Sequence, residues 1–365
     1  MTGGPDDPFP HVSVVIPMLN EHGYIEPCIR GFLDQSYPAE LIEILVVDGG
    51  STDGSRDDVD AIAVDHPQVR LIDNPRRVAA AAANIGIANA KGDVLCFLSA
   101  HGVPDPDYVA TSVRLLLETG AVGVGGRYVH EGVDRSSRAI GLAMASRLGM
   151  ASPHRSSSQR MDVDTISHPT FHKQPMIEAG GYDETLRSNE DYEFNYRLRL
   201  NGGRLVFCPE ISSVYRPRRS LKALGRQFFA YGRGKASVMR RHPSSVRGRH
   251  LVPPAAFVAA VATALALPTR TGRRVAVAAA LGYAVVEVAA LADARPQRHD
   301  ASVGVFVAAF PVMHLTWGAG VVVGAAREWW SERTEAPTAV GRPAAEGTGT
   351  VGDPTGARPP GRSPG

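Results

Sequence analysis

"VSVVIPMLNE" (residues 12–21) and, after one intervening helix, "ILVVDGGSTDGS" (residues 44–55) decide the fold. Each opens as a short run of continuous apolar, mostly β-branched residues and breaks into a polar turn. Unbroken apolarity, as opposed to alternation, marks a strand buried on both faces, as in a parallel sheet covered by helices. The pattern repeats outward. "HVSVVIP" stops at Pro17, and a helix starts near Glu21 and ends before Pro38. "IEILVVD" leads through a Gly/Ser/Asp turn into a helix toward Val64, then the strand "VRLID". The Ala-rich helix "VAAAAANIGIANAKG" is closed by Gly92 and followed by the strand "VLCFLS". This predicts an α/β fold with a mostly parallel sheet. Ligands of such sheets bind at the carboxyl ends of the strands, where Asp48 and the segment 99–101 fall.

Between residues 120 and 181 the chain is less regular, with a strand in "AVGVGGRYVH" and a mobile polar loop in "SPHRSSSQR". A helix over 191–201, the strand "RLVFCP" and a basic helix over 220–241 follow, and no internal repeat is visible. The composition then changes abruptly into three apolar segments, 251–267, 275–292 and 302–326. The third is long enough to cross a bilayer, which takes ~20 residues; the first two are marginal and Ala-rich. "REWW" supplies an interfacial anchor after the third. Arg240, Arg241, Arg247 and Arg249 put the front of the first segment on the cytoplasmic side. The loop "PTRTGRR" is basic too, so three spans, or a re-entrant pair and one span, both fit. Residues 1–10 and the Pro/Gly/Ala/Thr-rich tail 334–365 are expected to be disordered.

The formal charge of +2 hides an asymmetry: residues 211–250 hold eleven Arg or Lys and no Asp or Glu. That block suits an anionic partner. Cys28, Cys96 and Cys208 form no CxxC and read as buried thiols of a reducing compartment. "MTGGPDDPFPHVSVV" lacks the basic start and long apolar run of a secretory signal, so the first 250 residues are expected in the cytoplasm.

Four stretches in order carry a resemblance. The opening pair is followed by "NPRRVAAAAANIGIANAKGDVLCFLSAHG", "GGYDETLRSNEDYEFNYRLRLNGG" and "RQFFAYGRGKASVMRRHP". Over roughly residues 10 to 245 the chain resembles the family-2 glycosyltransferases, inverting enzymes of the GT-A fold that use nucleotide sugars. Within them it looks most like the membrane-anchored, succinoglycan-type enzymes of exopolysaccharide assembly. The resemblance implies a Rossmann-like GT-A domain over 11–245 with membrane-associated helices over 251–328. It also implies transfer of a sugar from a nucleotide-diphosphate donor to a lipid-linked saccharide at the cytoplasmic membrane face. No nucleic-acid partner is expected.

Matching positions imply roles. Asp48 goes to the nucleoside, with Pro17, Asn20, Glu21 and Asp53 in the same pocket. Its own setting agrees, since Gly49 and Gly50 let backbone approach a ligand. The alternative is a turn or capping Asp, a role that suits Ser51 or Asp53 better. Arg77 and Asn84 would reach the donor phosphates, Arg through its bidentate geometry; a solvated surface Arg is the alternative. Where the family carries Asp-x-Asp and a divalent ion, this chain reads Ser99 and His101. An imidazole can bind Mn²⁺, though oxygen ligands are commoner for Mn²⁺ or Mg²⁺. Ser99 can bond ribose or a metal-bound water, and His172 or a further carboxylate can complete the shell. His101 can also be purely structural.

"SNEDYEF" puts Glu190 and Asp191 at the positive end of a helix. The resemblance makes Asp191 the general base, and Glu190 an orienter of the acceptor. Inversion needs one base opposite the leaving diphosphate, and stabilisation of the charge that departs. The alternative is an ordinary acidic helix start. Gln227, Arg233 and Lys235, on a helix similar to the family's Gln-x-x-Arg-Trp region, would contact the acceptor or diphosphate. A membrane-surface patch is equally compatible. Two other functions compete. A degenerate nucleotide-sugar-binding partner of another transferase would explain Ser99 and His101, but not the retained Asp48 and Glu190–Asp191. A dinucleotide oxidoreductase would need the GxGxxG fingerprint, absent after the strands.

Overall fold

A computed structural model describes residues 9–146, 149, 157–294 and 300–334. The expectations for residues 1–8, for 152–156 of the polar loop and for 335–365 lie outside the described residues.

Strands β1 (Val12–Met18), β2 (Ile42–Asp48), β3 (Val69–Asp73) and β4 (Val94–Phe97) pair in parallel in the order β3-β2-β1-β4. Their continuous apolarity has a direct cause in two-sided burial. Val12, Val14 and Ile16 pack with Ile25, Cys28 and Ile29 of helix α1 (Ile25–Leu33) and with Val59 of α2 (Ser55–Asp65). On the other face Val15, Leu45 and Val47 pack with Ala80 and Ala83 of α3 (Ala79–Asn89). The chain steps outward from β1 to β3, then returns to lay β4 on the other side of β1. That reversal opens a crevice at the carboxyl ends of β1 and β4.

Beyond β4 the sheet is mixed. β8 (Thr170–His172) runs antiparallel to β4 and to β6 (Gly123–His130). β6 is parallel to β9 (Leu205–Tyr215), which also carries β5 (Val103–Pro104) and β7 (Met161–Asp162). Helices α4 (Tyr108–Thr119) and α5 (Arg135–Ala145) lie in stretches whose patterns are weak in the sequence. The short α6 (Lys173–Glu178) follows β8, and α7 (Glu190–Leu200) and α8 (Leu221–Arg241) fall where expected.

Three helices, α9 (Val252–Ala266), α10 (Arg270–Asp293) and α11 (Val303–Thr334), take up the apolar segments, and by length and composition each region could cross a membrane. They are not equivalent. α9 and α10 are almost wholly exposed, whereas much of α11 is buried against the rest of the molecule. α11 lies along α8 and touches α5, with Phe310, Met313 and Trp317 packed on Leu224, Phe228 and Ile140. The close approach needs glycine. A Cβ on Gly232 would strike the backbone of Trp317, and one on Gly320 the carbonyl of Phe229. Gly320 and Gly324 form a GxxxG pair, the spacing that lets helix backbones meet. Arg240 Nε closes the far end with a 2.6 Å bond to Glu328. Gly320→Leu is expected to cost about 3 kcal/mol by overpacking. Thermal unfolding of the full chain in detergent reads the loss, and an unchanged midpoint would contradict the docking.

Candidate active site

At the carboxyl end of β2, Asp48 is 1% exposed. Its carboxylate accepts from Gly50 N (3.0 Å), Ser51 N (3.1 Å) and Ser51 Oγ (2.6 Å), and Arg56 Nη1 donates to it at 2.6 Å. Burial alone would raise its pKa, but the bonds from Ser51, Arg56 and Gly50 outweigh it and the net shift is downward. Asp48, assigned from the sequence to the nucleoside, also builds the turn at this strand end. Both its oxygens are used there. Asp53 ties the turn to the neighbouring loop, accepting from Ser55 N at 3.1 Å and His22 N at 3.0 Å. Asn20 does the same from the turn after β1, its Oδ1 accepting from Thr52 N at 2.9 Å. Pro17, within β1, sits opposite Val47. Arg77 Nε and Nη2 donate to Gly49 O (2.8 Å) and Gly50 O (2.9 Å), so the guanidinium clamps the same turn. Gly50 takes φ of 81°, a conformation glycine allows at little cost.

Asn84, expected to reach the donor phosphates, bonds within the fold. Its amide donates to Tyr182 O (2.9 Å) and Glu184 Oε1 (2.8 Å) and accepts from Tyr182 N (2.7 Å). Every polar atom it could offer a phosphate holds the loop before α7 instead.

Ser99 and His101 leave β4 toward the crevice. Ser99 Oγ lies 3.4 Å from His168 Nε2, whose Nδ1 is 2.6 Å from Ser213 Oγ. His101 Nδ1 is 3.1 Å from Glu21 Oε1, and its ring meets Tyr215 edge-on at 5.9 Å. No group of three His, Cys, Asp or Glu side chains able to hold a metal occurs among the described residues. Glu21 and His101 nonetheless offer one oxygen and one nitrogen ligand side by side. Magnesium-type sites commonly use one or two protein ligands and take phosphate oxygens and water for the rest, so the pair fits a shared divalent ion. His172 does not join them, because it pairs with Val94 at the opposite end of β4.

Glu190 and Asp191 open α7 and line a cavity of about 450 Å³. Its walls come from distant parts of the chain: Tyr128 and His130 from β6, Tyr215 from β9, Tyr231 from α8 and Trp317 from α11. The turn before α7 is pinned to α8, with Ser188 Oγ donating to Ala230 O and Asn189 Nδ2 to Tyr231 O, each at 2.9 Å. Asn189 takes φ of 62° and His168 φ of 44°; non-glycine residues hold such angles only where surroundings impose them. Asp191 is exposed to the cavity, its Oδ1 accepting from Tyr192 N at 2.7 Å. Burial, and then the charge of Asp191, push Glu190 up to about 7. At neutral pH it is therefore partly protonated and able to donate a hydrogen bond.

A stability prediction follows from the sign of that shift. Between its ordinary value of 4.5 and about 7, Glu190 holds a proton in the folded chain that the unfolded chain has released. Its stabilising contribution is complete below the lower value and lost as pH rises through the upper one. Wild type should thus lose stability relative to Glu190→Gln from pH 5 to 7.5. Parallel unfolding midpoints across that range would contradict this.

On α8 the three expected contacts separate. Gln227 Nε2 donates to the hydroxyls of Tyr215 (3.2 Å) and Tyr231 (2.8 Å), so it orients two tyrosines of the cavity wall. Lys235, expected with the other two to contact the acceptor or diphosphate, lies in the interior. It is 3% exposed, with Nζ 3.1 Å from the centre of the Tyr192 ring, and burial followed by the charge of Arg249 lowers it to about 7. Arg233 is exposed and lines neither the cavity nor the crevice. Trp317 and Tyr231 were missed from sequence, since apolar composition hides one and the Gln-x-x-Arg frame directs attention away from the other.

The sheet order, the crevice and the acidic pair on α7 define a GT-A-type nucleotide-diphospho-sugar transferase fold. The sequence matches the family description "Glycosyl transferase family 2" over residues 13–177. It is 34% identical over 313 residues to the succinoglycan biosynthesis protein ExoA of Rhizobium meliloti, covering 84% of this chain and 92% of that one. A dolichyl N-acetyl-α-D-glucosaminyl phosphate 3-β-D-2,3-diacetamido-2,3-dideoxy-β-D-glucuronosyltransferase of Methanococcus voltae is 28% identical over 238 residues, 63% of this chain and 74% of that one. Among solved structures, the mannosyltransferase PcManGT from Pyrobaculum calidifontis, in complex with GDP-Man and Mn²⁺, superposes with a TM-score of 0.60. The two are 20% identical, over 89% of this chain and 88% of that one. The chain belongs to glycosyl transferase family 2 and is a glycosyltransferase.

Proposed function

We propose that the chain transfers a sugar, with inversion, from a nucleotide-diphosphate donor to a lipid-linked saccharide during cell-surface polysaccharide assembly. One observation carries the reading: the Glu190–Asp191 cavity shares the wall of Tyr215 and His101 with the crevice at the ends of β1 and β4, and is closed on another side by Trp317 of α11. Base and leaving group would then stand on opposite sides of the reacting carbon, with an apolar helix beside the acceptor. The relatives support the wider setting, one being named for succinoglycan biosynthesis and another for a dolichyl-phosphate-linked sugar.

In this reading Asp191 takes the proton of the acceptor hydroxyl as its oxygen attacks the anomeric carbon. Protonated Glu190 donates to the acceptor and spares the site a second negative charge. Tyr215 and Tyr231, fixed by Gln227, present ring faces to the sugars. Glu21 and His101 would hold Mn²⁺ or Mg²⁺, which when bound supplies positive charge to the leaving diphosphate. Residues 11–245 form the transferase domain and 251–328 its membrane-associated part, with the exposed α9–α10 hairpin entering the lipid and the catalytic face cytoplasmic. α9 alone, at 15 residues or ~22 Å, is too short for a ~30 Å hydrocarbon core.

The test is incubation of the purified full chain with labelled UDP-, GDP- and dTDP-sugars and a lipid extract of the source cells. Label is expected in organic-extractable saccharide. Consumption of no donor, or release of free sugar alone, would contradict the reading.

A further inference from the structure

Tyr215 closes the base cavity, and the residues that follow it open a second one. This cavity, of about 290 Å³, is lined by Glu21, Tyr24, His101, Glu131 and the arginines of the loop "RPRR" at 216–219. We propose that this loop is the diphosphate-binding element of the enzyme, with Arg216 and Arg218 taking the charge of the donor's diphosphate and of the departing nucleoside diphosphate. The proposal rests on the reading above and assigns a role that the Arg77, Asn84 and α8 positions do not fill.

The other cations at the strand ends are committed elsewhere. Arg77 is committed to the carbonyls of Gly49 and Gly50, and Arg56 to Asp48 and Asp73. Arg76 pairs with Glu184. Arg216, Arg218 and Arg219, by contrast, form no ion pair with any described carboxylate. An aromatic ring orients two of them: the guanidinium of Arg216 lies 5.3 Å over Tyr24, and Arg219 Nη2 is 3.4 Å from the Tyr24 hydroxyl. Cations steered by a ring and left unneutralised keep their charge for a ligand. Guanidinium also matches phosphate geometry in a way an ammonium does not.

Pro217 is buried and fixes the backbone between the two arginines. α8 begins immediately after the loop, capped by Ser220, and its first turn reaches the cavity at Ala223. α1 begins at Tyr24, which lines the same cavity and provides no side-chain cap. Two helices thus turn their positive ends toward one space, where anions are favoured. Glu21 and Glu131 line the same space, but the three arginines outnumber them.

Tyr215 lines the base cavity while its neighbour Arg216 lines this one, with His101 5.9 Å from the Tyr215 ring. A diphosphate here lies across that wall from Asp191, as inversion demands.

The experiment is calorimetric titration of the full chain in detergent with UDP, GDP and dTDP, and with the corresponding monophosphates, in Mn²⁺ and in EDTA. Arg216→Gln/Arg218→Gln is expected to weaken the preferred nucleoside diphosphate about 10- to 100-fold, the span of one or two lost charge-assisted bonds. The monophosphate should lose much less, so the preference for the diphosphate collapses. Arg216→Lys/Arg218→Lys should recover part of it. Should the double variant not fold, Arg218→Gln at an exposed position reads the same ratio. A wild-type ratio of diphosphate to monophosphate affinity in the variants overturns the loop's role and leaves the transferase reading standing. Failure of the wild type to bind any of these nucleotides overturns both.

Discussion

Asp191→Asn is expected to lower kcat by about 10²- to 10⁴-fold, the range for removing a positioned general base. Affinity for the nucleoside diphosphate should change by no more than about twofold, because Asp191 lies across the Tyr215–His101 wall from the crevice. The substitution is nearly isosteric, and Asn Oδ1 can still accept from Tyr192 N, so the start of α7 keeps its geometry. The partition between kcat and binding carries the test. Equal losses in both would make Asp191 a structural residue of the helix start. An unchanged kcat would hand the base role to Glu190, whose pKa near 7 would then be the functional one.

Asp48→Ala is expected to destabilise the fold by about 3 kcal/mol, the lower end of the range for stripping one partner from a buried ion pair, since Arg56 is 38% exposed. The variant strands Gly50 N and Ser51 N, leaves Arg56 with Asp73 alone, and loosens the turn that Asn20, Asp53 and Arg77 also hold. Because the folded pKa is depressed, the contribution is full above the ordinary carboxylate value and is lost as pH falls through the lower one. Loss of stability should precede loss of nucleotide affinity. A stable variant with weakened nucleotide binding would instead restore Asp48 to the nucleoside pocket.

The parallel half of the sheet was legible because two-sided burial leaves an unmistakable apolar run in β1, β2 and β4. Glu190 and Asp191 were legible because an acidic pair at a helix start survives any detail of packing. Roles that depend on what a side chain touches were not. Asp48, Asn84 and Arg77 read as ligand contacts in one dimension, and what one dimension does not hold is that each also bonds backbone or side chains elsewhere in the fold. Lys235 reads as part of a membrane-surface patch, yet it is buried, with Nζ over the Tyr192 ring. The docking of α11 on α8 could have been suspected from Gly320 and Gly324, but their partner, Gly232, lies 88 residues earlier, beyond the reach of any local pattern. The loop at 216–219 was counted only as part of a basic block; its separation from Arg233 and Lys235 is a fact of geometry.

The most direct measurement is the anomeric configuration of the product, read by proton NMR after transfer from whichever nucleotide sugar the enzyme consumes. One base facing a diphosphate across the reacting carbon predicts inversion, so an α-linked donor gives a β-linked product. Retention of the donor's configuration would contradict the account.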